Sequence, residues 1–276
     1  MKYKYKQQLR AVIGSMLLGS IAQADVKVDT ELLLLVDVSG SVDTREYNLM
    51  MQGYETAFKN LDIISALDQG PQGAIAVALM FWSANDQQTV GVDWMKINDA
   101  ESANAFADAI AATNRPFNSM TAIGSAITAG TELFGTETGG DVSNGFSSAV
   151  QMIDISGDGE DNDTPPSSDR ATNVRAARDA SIASGVDMIN GLPIGNAGGA
   201  LEQYYQDNVI AGSIVGVEAF TQPVEDFNSV AESLEIKLSR EIKAGAITAA
   251  AAVPEPSAVI MLGIGATTFI LRRKRS

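Results

Sequence analysis

Leu32 to Val36 are five consecutive apolar residues, and the run stops at Asp37. A continuous apolar run bounded by a polar residue suits a strand buried on both faces, as in a parallel sheet. Such a strand has to be covered on both sides, which restricts the chain to layered α/β arrangements. The pattern that follows agrees. Asp43-Thr44-Arg45-Glu46 has the spacing of a capping box, and Tyr47, Met50, Tyr54, Phe58 and Leu61 recur behind it at helical spacing.

Further segments alternate in the same way. Ala74 to Trp82 and Thr89 to Ile97 read as a strand pair joined by a turn at Asn85-Asp86, with one edge strand antiparallel. Ala100 to Ala112 and Ile123 to Phe134 read as helices. Gly135 to Gly145 reads as a Gly/Thr/Ser loop, and Ala149 to Ile155 as a buried strand ending at Ser156-Gly157-Asp158. Arg170 to Ser184 is an expected helix, Val186 to Ile194 a strand, and Ile214 to Phe220 the last strand. Val224 to Lys243 closes as a helix with Phe227, Val230, Leu234, Leu238 and Ile242 on one face. The expected fold class is α/β, a doubly wound and mostly parallel central sheet with helices on both faces. Ligands of such sheets sit at the carboxyl ends of the strands.

Asp37-Val38-Ser39-Gly40-Ser41 stands at such an end. Three oxygen-bearing side chains alternate there, and Gly40 relaxes the backbone between them. Few carboxylates, several hydroxyls and positions left for water or ligand suit a hard divalent cation. Composition points the same way. The chain holds no histidine and no cysteine, so any metal has to be held by oxygen, as Mg²⁺, Mn²⁺ or Ca²⁺. Disulfides, thiolate sites and histidine general bases are excluded with them. There are 34 acidic against 19 basic residues, and eight of the basic ones lie within the first ten or the last five residues. The segment between them carries 11 basic residues against all 34 acids, a field that attracts cations and repels nucleic acid.

With these residues the chain resembles the von Willebrand factor type A (VWA) family over roughly Thr30 to Lys243. The metal-ion-dependent adhesion site of that family, the MIDAS, draws on three loops. Asp37, Ser39 and Ser41 match the first, and Thr121 in Ser119-Met120-Thr121-Ala122-Ile123-Gly124 matches the second. Asp158 in Ser156-Gly157-Asp158-Gly159 matches the third. The resemblance implies Ser39, Ser41 and Thr121 as direct or near-direct ligands of a divalent cation, Mg²⁺ first. Asp37 and Asp158 often act through water, and a partner's carboxylate fills an open position. A protein or polysaccharide offering that carboxylate is the expected partner, in adhesion rather than catalysis. Within the family the chain looks closest to a bacterial branch of secreted proteins carrying a domain of unknown function. Two plainer readings stand beside it: Ser39, Ser41 and Thr121 as helix caps, and Glu160, Asp161 and Asp163 as a solvated acidic loop, with a second cation there left open.

Both ends read as addresses. Residues 1–24 pair a basic start with the apolar run Ala11 to Ile21 and the small-x-small pattern Ala22-Gln23-Ala24, the form of a secretory signal peptide. Residues 253–276 resemble the PEP-CTERM sorting signal of Gram-negative bacteria, with Val253-Pro254-Glu255-Pro256-Ser257, the apolar run to Leu271, and Arg272-Arg273-Lys274-Arg275. That resemblance implies recognition by an exosortase, transient inner-membrane anchoring by a short helix over 257–271, and delivery to the cell surface or extracellular matrix. The expected domains are therefore signal 1–24, VWA-like body 25–243, Ala-rich linker 244–252 and sorting tail 253–276.

Two other functions fit parts of the pattern. A strand ending in Asp with a later Gly-Asp-Gly also resembles Mg²⁺-dependent haloacid-dehalogenase-type phosphatases. That mechanism wants an acid where Ser39 stands, and a lysine in a stretch that has none between Lys96 and Lys237. A structural matrix protein without a metal-dependent ligand is the third reading.

Overall fold

The computed structural model describes residues 24–253 apart from 167 and 196. The expected signal peptide, except Ala24, and the sorting tail with its apolar helix, except Val253, lie outside the described residues. In chain order the elements are β1 (Val26–Val28), β2 (Thr30–Asp37), α1 (Thr44–Phe58), α2 (Leu61–Leu67), β3 (Ile75–Trp82), β4 (Gln88–Ile97), α3 (Ala100–Ala111) and α4 (Ile123–Glu132). They continue as β5 (Phe146–Ser148), β6 (Gln151–Gly157), α5 (Arg170–Ser184), β7 (Met188–Pro193), α6 (Ala200–Asn208), β8 (Ala211–Ile214), β9 (Val217–Glu218) and α7 (Val230–Ala252).

The main sheet runs β4-β3-β2-β6-β7-β8-β9, and β1 and β5 form a separate parallel pair. β3, β2, β6 and β7 are mutually parallel. β4 is the expected antiparallel edge, and the short β8–β9 hairpin closes the other edge antiparallel to β7. All residues of β2 are buried. Because side chains alternate across a strand, Leu32, Leu34 and Val36 enter the core under α1, α3 and α7. Leu33 and Leu35 enter the core under α4, α5 and α6. The apolar run is thus an ordinary two-sided strand, and each half of its residues serves one layer. From β2 the chain passes to β3 on one side and later to β6 on the other. The carboxyl end of β2 is therefore a switch point, where a crevice opens between diverging loops.

Three expectations change. Residues 244–252, expected as a linker, are the last turns of α7. Ala244, Gly245, Ala246 and Ala249 are buried there, and a Cβ on Gly245 would fall 2.0 Å from Thr30 Oγ1. The small residues allow the helix to cross the start of β2 closely, so they mark packing rather than freedom. Ile214 to Phe220 is not one strand, because Gly216 takes φ 74° and turns the chain between β8 and β9. Leu61, placed on the buried face of α1, begins α2 instead and is exposed.

Between the sheet and α7 lies a buried polar group that the helix stripe concealed. Lys237 Nζ on α7 is 2.8 Å from Asp154 Oδ1 on β6 and also meets Glu241. Asn190 on β7 donates to Glu241 Oε1 at 2.8 Å. All four side chains are buried.

Candidate metal centre

The first loop leaves β2 with its backbone already tied down. Val38 N donates to Trp82 O at the end of β3 (2.9 Å), and Gly40 N donates to Ser119 O (2.6 Å). A Cβ on Gly40 would come within 3.1 Å of Ser119 O and 3.2 Å of Asn118 Oδ1, so the glycine allows the Thr121 loop to close on this one. Asp37 Oδ1 accepts from Ser39 N at 2.7 Å, an Asx turn that folds the side chains back together. Ser39 Oγ and Ser41 Oγ are 3.2 Å apart, and Ser41 Oγ donates to Asp158 Oδ1 at 2.5 Å. Helix capping does not account for these serines. The N-cap of α1 is Asp43, in the expected capping box with Glu46. Thr121 does not cap α4 either, since the N-cap position there is Ala122, without a side-chain bond.

The two other loops meet the first at the same strand end. Gly157 ends β6 and Asp158 follows it, and a Cβ on Gly157 would lie 2.9 Å from Asp37 Oδ2 and 2.6 Å from the Tyr205 hydroxyl. Thr121 Oγ1 is 3.9 Å from the position a Cβ on Gly159 would take. Thr121 is held by Ala122 N on Ser83 O and by Asn162 N on its own carbonyl (2.8 Å). Asp37, Ser39, Ser41 and Asp158 are thus brought together, and Thr121 is brought to the loop that continues from Asp158. Asp37 and Ser39 are fully buried, Thr121 is nearly so, Asp158 is half-buried and Ser41 reaches solvent.

Electrostatically the cluster is incomplete. Asp37 Oδ2 is buried without a hydrogen-bond partner. Burial, and then the charge of Asp158, push the Asp37 carboxyl up to about 7. Burial raises Asp158 as well, against the Ser41 hydroxyl, which favours its ionised form. Two carboxylates facing one point, one with an orphaned oxygen, beside three hydroxyls, form a donor set suited to a hard cation. Among the described residues no three His, Cys, Asp or Glu side chains gather to hold an ion. A centre here thus depends on its hydroxyls.

Several supporting residues escape a sequence reading. Asp161, expected in a solvated loop, is buried and accepts from Gly124 N in the first turn of α4 (3.2 Å), from Thr164 N (2.9 Å) and from Thr164 Oγ1 (2.5 Å). It caps α4 from another loop. Asn162 Oδ1 accepts from Thr121 N, and Asp163 Oδ2 from Asn85 N. These oxygens are engaged with backbone N–H groups, so the loop buttresses Thr121. Asp161→Ala is expected to lower stability by about 2 kcal/mol through the lost cap and the freed donors. Urea unfolding checks this, and a loss below about 0.5 kcal/mol would remove Asp161 from the support of the site. Ser83 Oγ, which donates to Met120 O and accepts from Ser119 N, is a second such prop. Arg115 donates to the carbonyls of Val38 and Ser39.

A family model described as "Protein of unknown function (DUF1194)" matches residues 27–246, and the PEP-CTERM protein-sorting motif matches residues 252–275. No curated protein matches the sequence. Among solved structures, a von Willebrand factor type A protein from Catenulispora acidiphila is similar at 16% identity and TM-score 0.51, over 78% of this chain and 43% of that one. Proximal thread matrix protein 1 from the mussel byssus, with a zinc-occupied MIDAS motif, aligns at 14% identity and TM-score 0.51, over 81% of this chain and 49% of its own. The pilus adhesin SpaC from Lactobacillus rhamnosus GG aligns at 14% identity and TM-score 0.52, over 80% and 30%. The chain thus spans less than half the length of these structures, and at such identities the likeness is one of fold. That fold is the VWA domain, as the residues of the three loops imply.

Proposed function

The chain belongs to the DUF1194 family, and on that footing we propose that it is an exported VWA protein whose divalent cation, held by Asp37, Ser39, Ser41, Thr121 and Asp158, receives a ligand's carboxylate. The observation that carries this reading is the buried, partnerless Oδ2 of Asp37, set against Asp158 among three hydroxyls. A bound cation would supply a Lewis-acidic position for the ligand's oxygen. The protein's part is to hold the donors at one point: Ser39 and Ser41 through the Asx turn, Thr121 through Asn162 and Ser83, Asp158 through Ser41. Mg²⁺ is proposed first because every donor is oxygen, with Mn²⁺ or Ca²⁺ as alternatives. The zinc in the mussel byssus protein lends general support to a divalent ion on this fold.

The layout favours binding outside the cell. α7 passes the start of β2 near Thr30, so the chain leaves the body at the end of the sheet opposite Asp37. The sorting motif follows at once. While the tail holds the protein to a membrane, for recognition by an exosortase, the site would face away. Among the described residues no helix is long and apolar enough to cross a membrane; the proposed transient anchor is the apolar run over 257–271, which lies outside them. The partner would be a surface or matrix protein, or an acidic polysaccharide. Phosphatase chemistry is the weaker reading. Ser39 stands where a general acid is needed, and Lys237 is committed to Asp154 beneath the sheet.

Retention of the purified full chain on cell-surface or matrix material should be lost in EDTA and restored by excess Mg²⁺. Equal retention in both conditions would overturn the ligand reading. Hydrolysis of an aryl phosphate with Mg²⁺, abolished in Asp37→Asn, would replace it with the enzyme.

A further inference from the structure

Arg115 lies in the irregular segment between α3 and α4, where no motif singles it out. Its Nη2 donates to Ser39 O at 2.6 Å and to Val38 O at 3.1 Å, the two carbonyls on the back of the first metal loop. Its Nε also reaches Val38 O, at 3.4 Å. The guanidinium is half-buried and makes no ion pair among the described residues. A cation without a carboxylate partner therefore stands directly behind a loop of acidic and hydroxyl groups. Its charge reaches Asp158, as does the opposite charge of Glu46 from α1.

The charge balance decides what such a site prefers. Ionised Asp37 and Asp158 bring two negative charges, and a divalent cation cancels them. Glu46, in the first turn of α1, would leave the surroundings of the loaded centre one negative charge, which repels an anion and lets a hydroxyl oxygen compete for the open position. Arg115 offsets that charge, so a carboxylate can take the position without net repulsion.

We propose that Arg115 is the specificity-determining residue of the site, a fixed cation that makes the loaded centre select a singly charged carboxylate over neutral hydroxyl ligands. This rests on the metal reading above and narrows it. The partner is an acidic side chain or a uronic acid, not a neutral glycan.

The test uses Mn²⁺ and acetate as probes on the full chain, with Arg115→Gln and Arg115→Lys. Mn²⁺ binding is read by electron paramagnetic resonance. Acetate binding to the loaded protein is read by the fall in water-proton relaxation as it replaces bound water. In Arg115→Gln, Mn²⁺ should bind about fivefold tighter at low salt, because a like charge is gone, and acetate about fivefold weaker. Arg115→Lys keeps the charge and should keep acetate affinity within about twofold of the wild type. A residue that only braces the loop gives the opposite sign: both variants lose Mn²⁺ affinity while acetate binds the loaded site unchanged. That result overturns the proposal, as does loss of acetate affinity in Arg115→Lys, which can be read even where Arg115→Gln does not fold. Failure of the wild type to bind Mn²⁺ would sink the metal reading itself, whereas Mn²⁺ binding without any acetate response would sink the Arg115 proposal alone.

Discussion

Replacing Lys237 with methionine should destabilise the chain by about 3–5 kcal/mol, a loss typical of removing one partner from a buried charge pair. Lys237, Asp154 and Glu241 carry one cation and two carboxyls in a space closed to solvent. Burial and the neighbouring Asp154 push Glu241 up to about 8, so at neutral pH Glu241 keeps its proton and Lys237 balances Asp154 alone. Asp154 depends on that balance. Its contact with Lys237 is one of charge, and neither of its oxygens accepts a well-directed hydrogen bond. Methionine keeps the length and apolar stem of the lysine but leaves the Asp154 carboxyl in the core without a counter-charge. Replacing Lys237, Asp154 and Glu241 together by apolar residues of similar volume should restore most of the loss, because the desolvation cost disappears with the charges. Urea midpoints of the single and triple variants measure both. A single-variant loss below about 1 kcal/mol would show that water reaches the group.

This group also shows where the sequence stopped being informative. The closing helix was legible from Leu234, Leu238 and Ile242, but the same stripe takes in Lys237 and Glu241, and spacing alone places a lysine at its solvent edge. Only the approach of Asp154 from another strand turns it inward. Residues 244–252 mislead for a related reason. Small side chains suit a loose linker and a tight crossing equally well, and Gly245 against Thr30 decides for the crossing. By contrast, β2 and its ending were plain, because a strand buried on both faces needs an uninterrupted apolar run and ends where polarity returns. The three loops proposed to hold the cation stand out through the family resemblance. Their supports do not. Asp161 and Asn162 sit in an acidic run whose composition suggests solvent, yet each is turned onto the backbone N–H groups of the Thr121 loop and α4. Arg115 lies in a segment without periodicity, and its partners are carbonyls, which any sequence supplies.

Removing divalent metal should make stability fall as pH rises from near 4 to about 8, and Mg²⁺ should abolish that fall. In the metal-free fold the Asp37 carboxyl is moved from 3.8 to about 7 by burial and by Asp158. Below the lower value both folded and unfolded chains hold the proton, and nothing is lost. Between the two values the unfolded chain is ionised while the folded one still binds a proton, so each pH unit removes about 1.4 kcal/mol. The loss levels off above the folded value, at about 4 kcal/mol. For a body of this size that corresponds to a fall in Tm of about 10 °C. A cation beside Oδ2 favours the ionised form and removes the cause, so the gain in Tm on adding Mg²⁺ should be large near pH 8 and small near pH 5. Asp37→Asn separates this from any general effect of salt. It cannot ionise, so without metal it should be more stable than the wild type near pH 8, by up to the same 4 kcal/mol or so, and it should gain nothing from Mg²⁺. Thermal melts of both proteins at the two pH values, in EDTA and in Mg²⁺, read the whole set. A wild-type Tm that is flat with pH in EDTA, together with an Asp37→Asn variant less stable than the wild type, would mean that Asp37 is satisfied without an ion, and the centre would lose the observation that carries it.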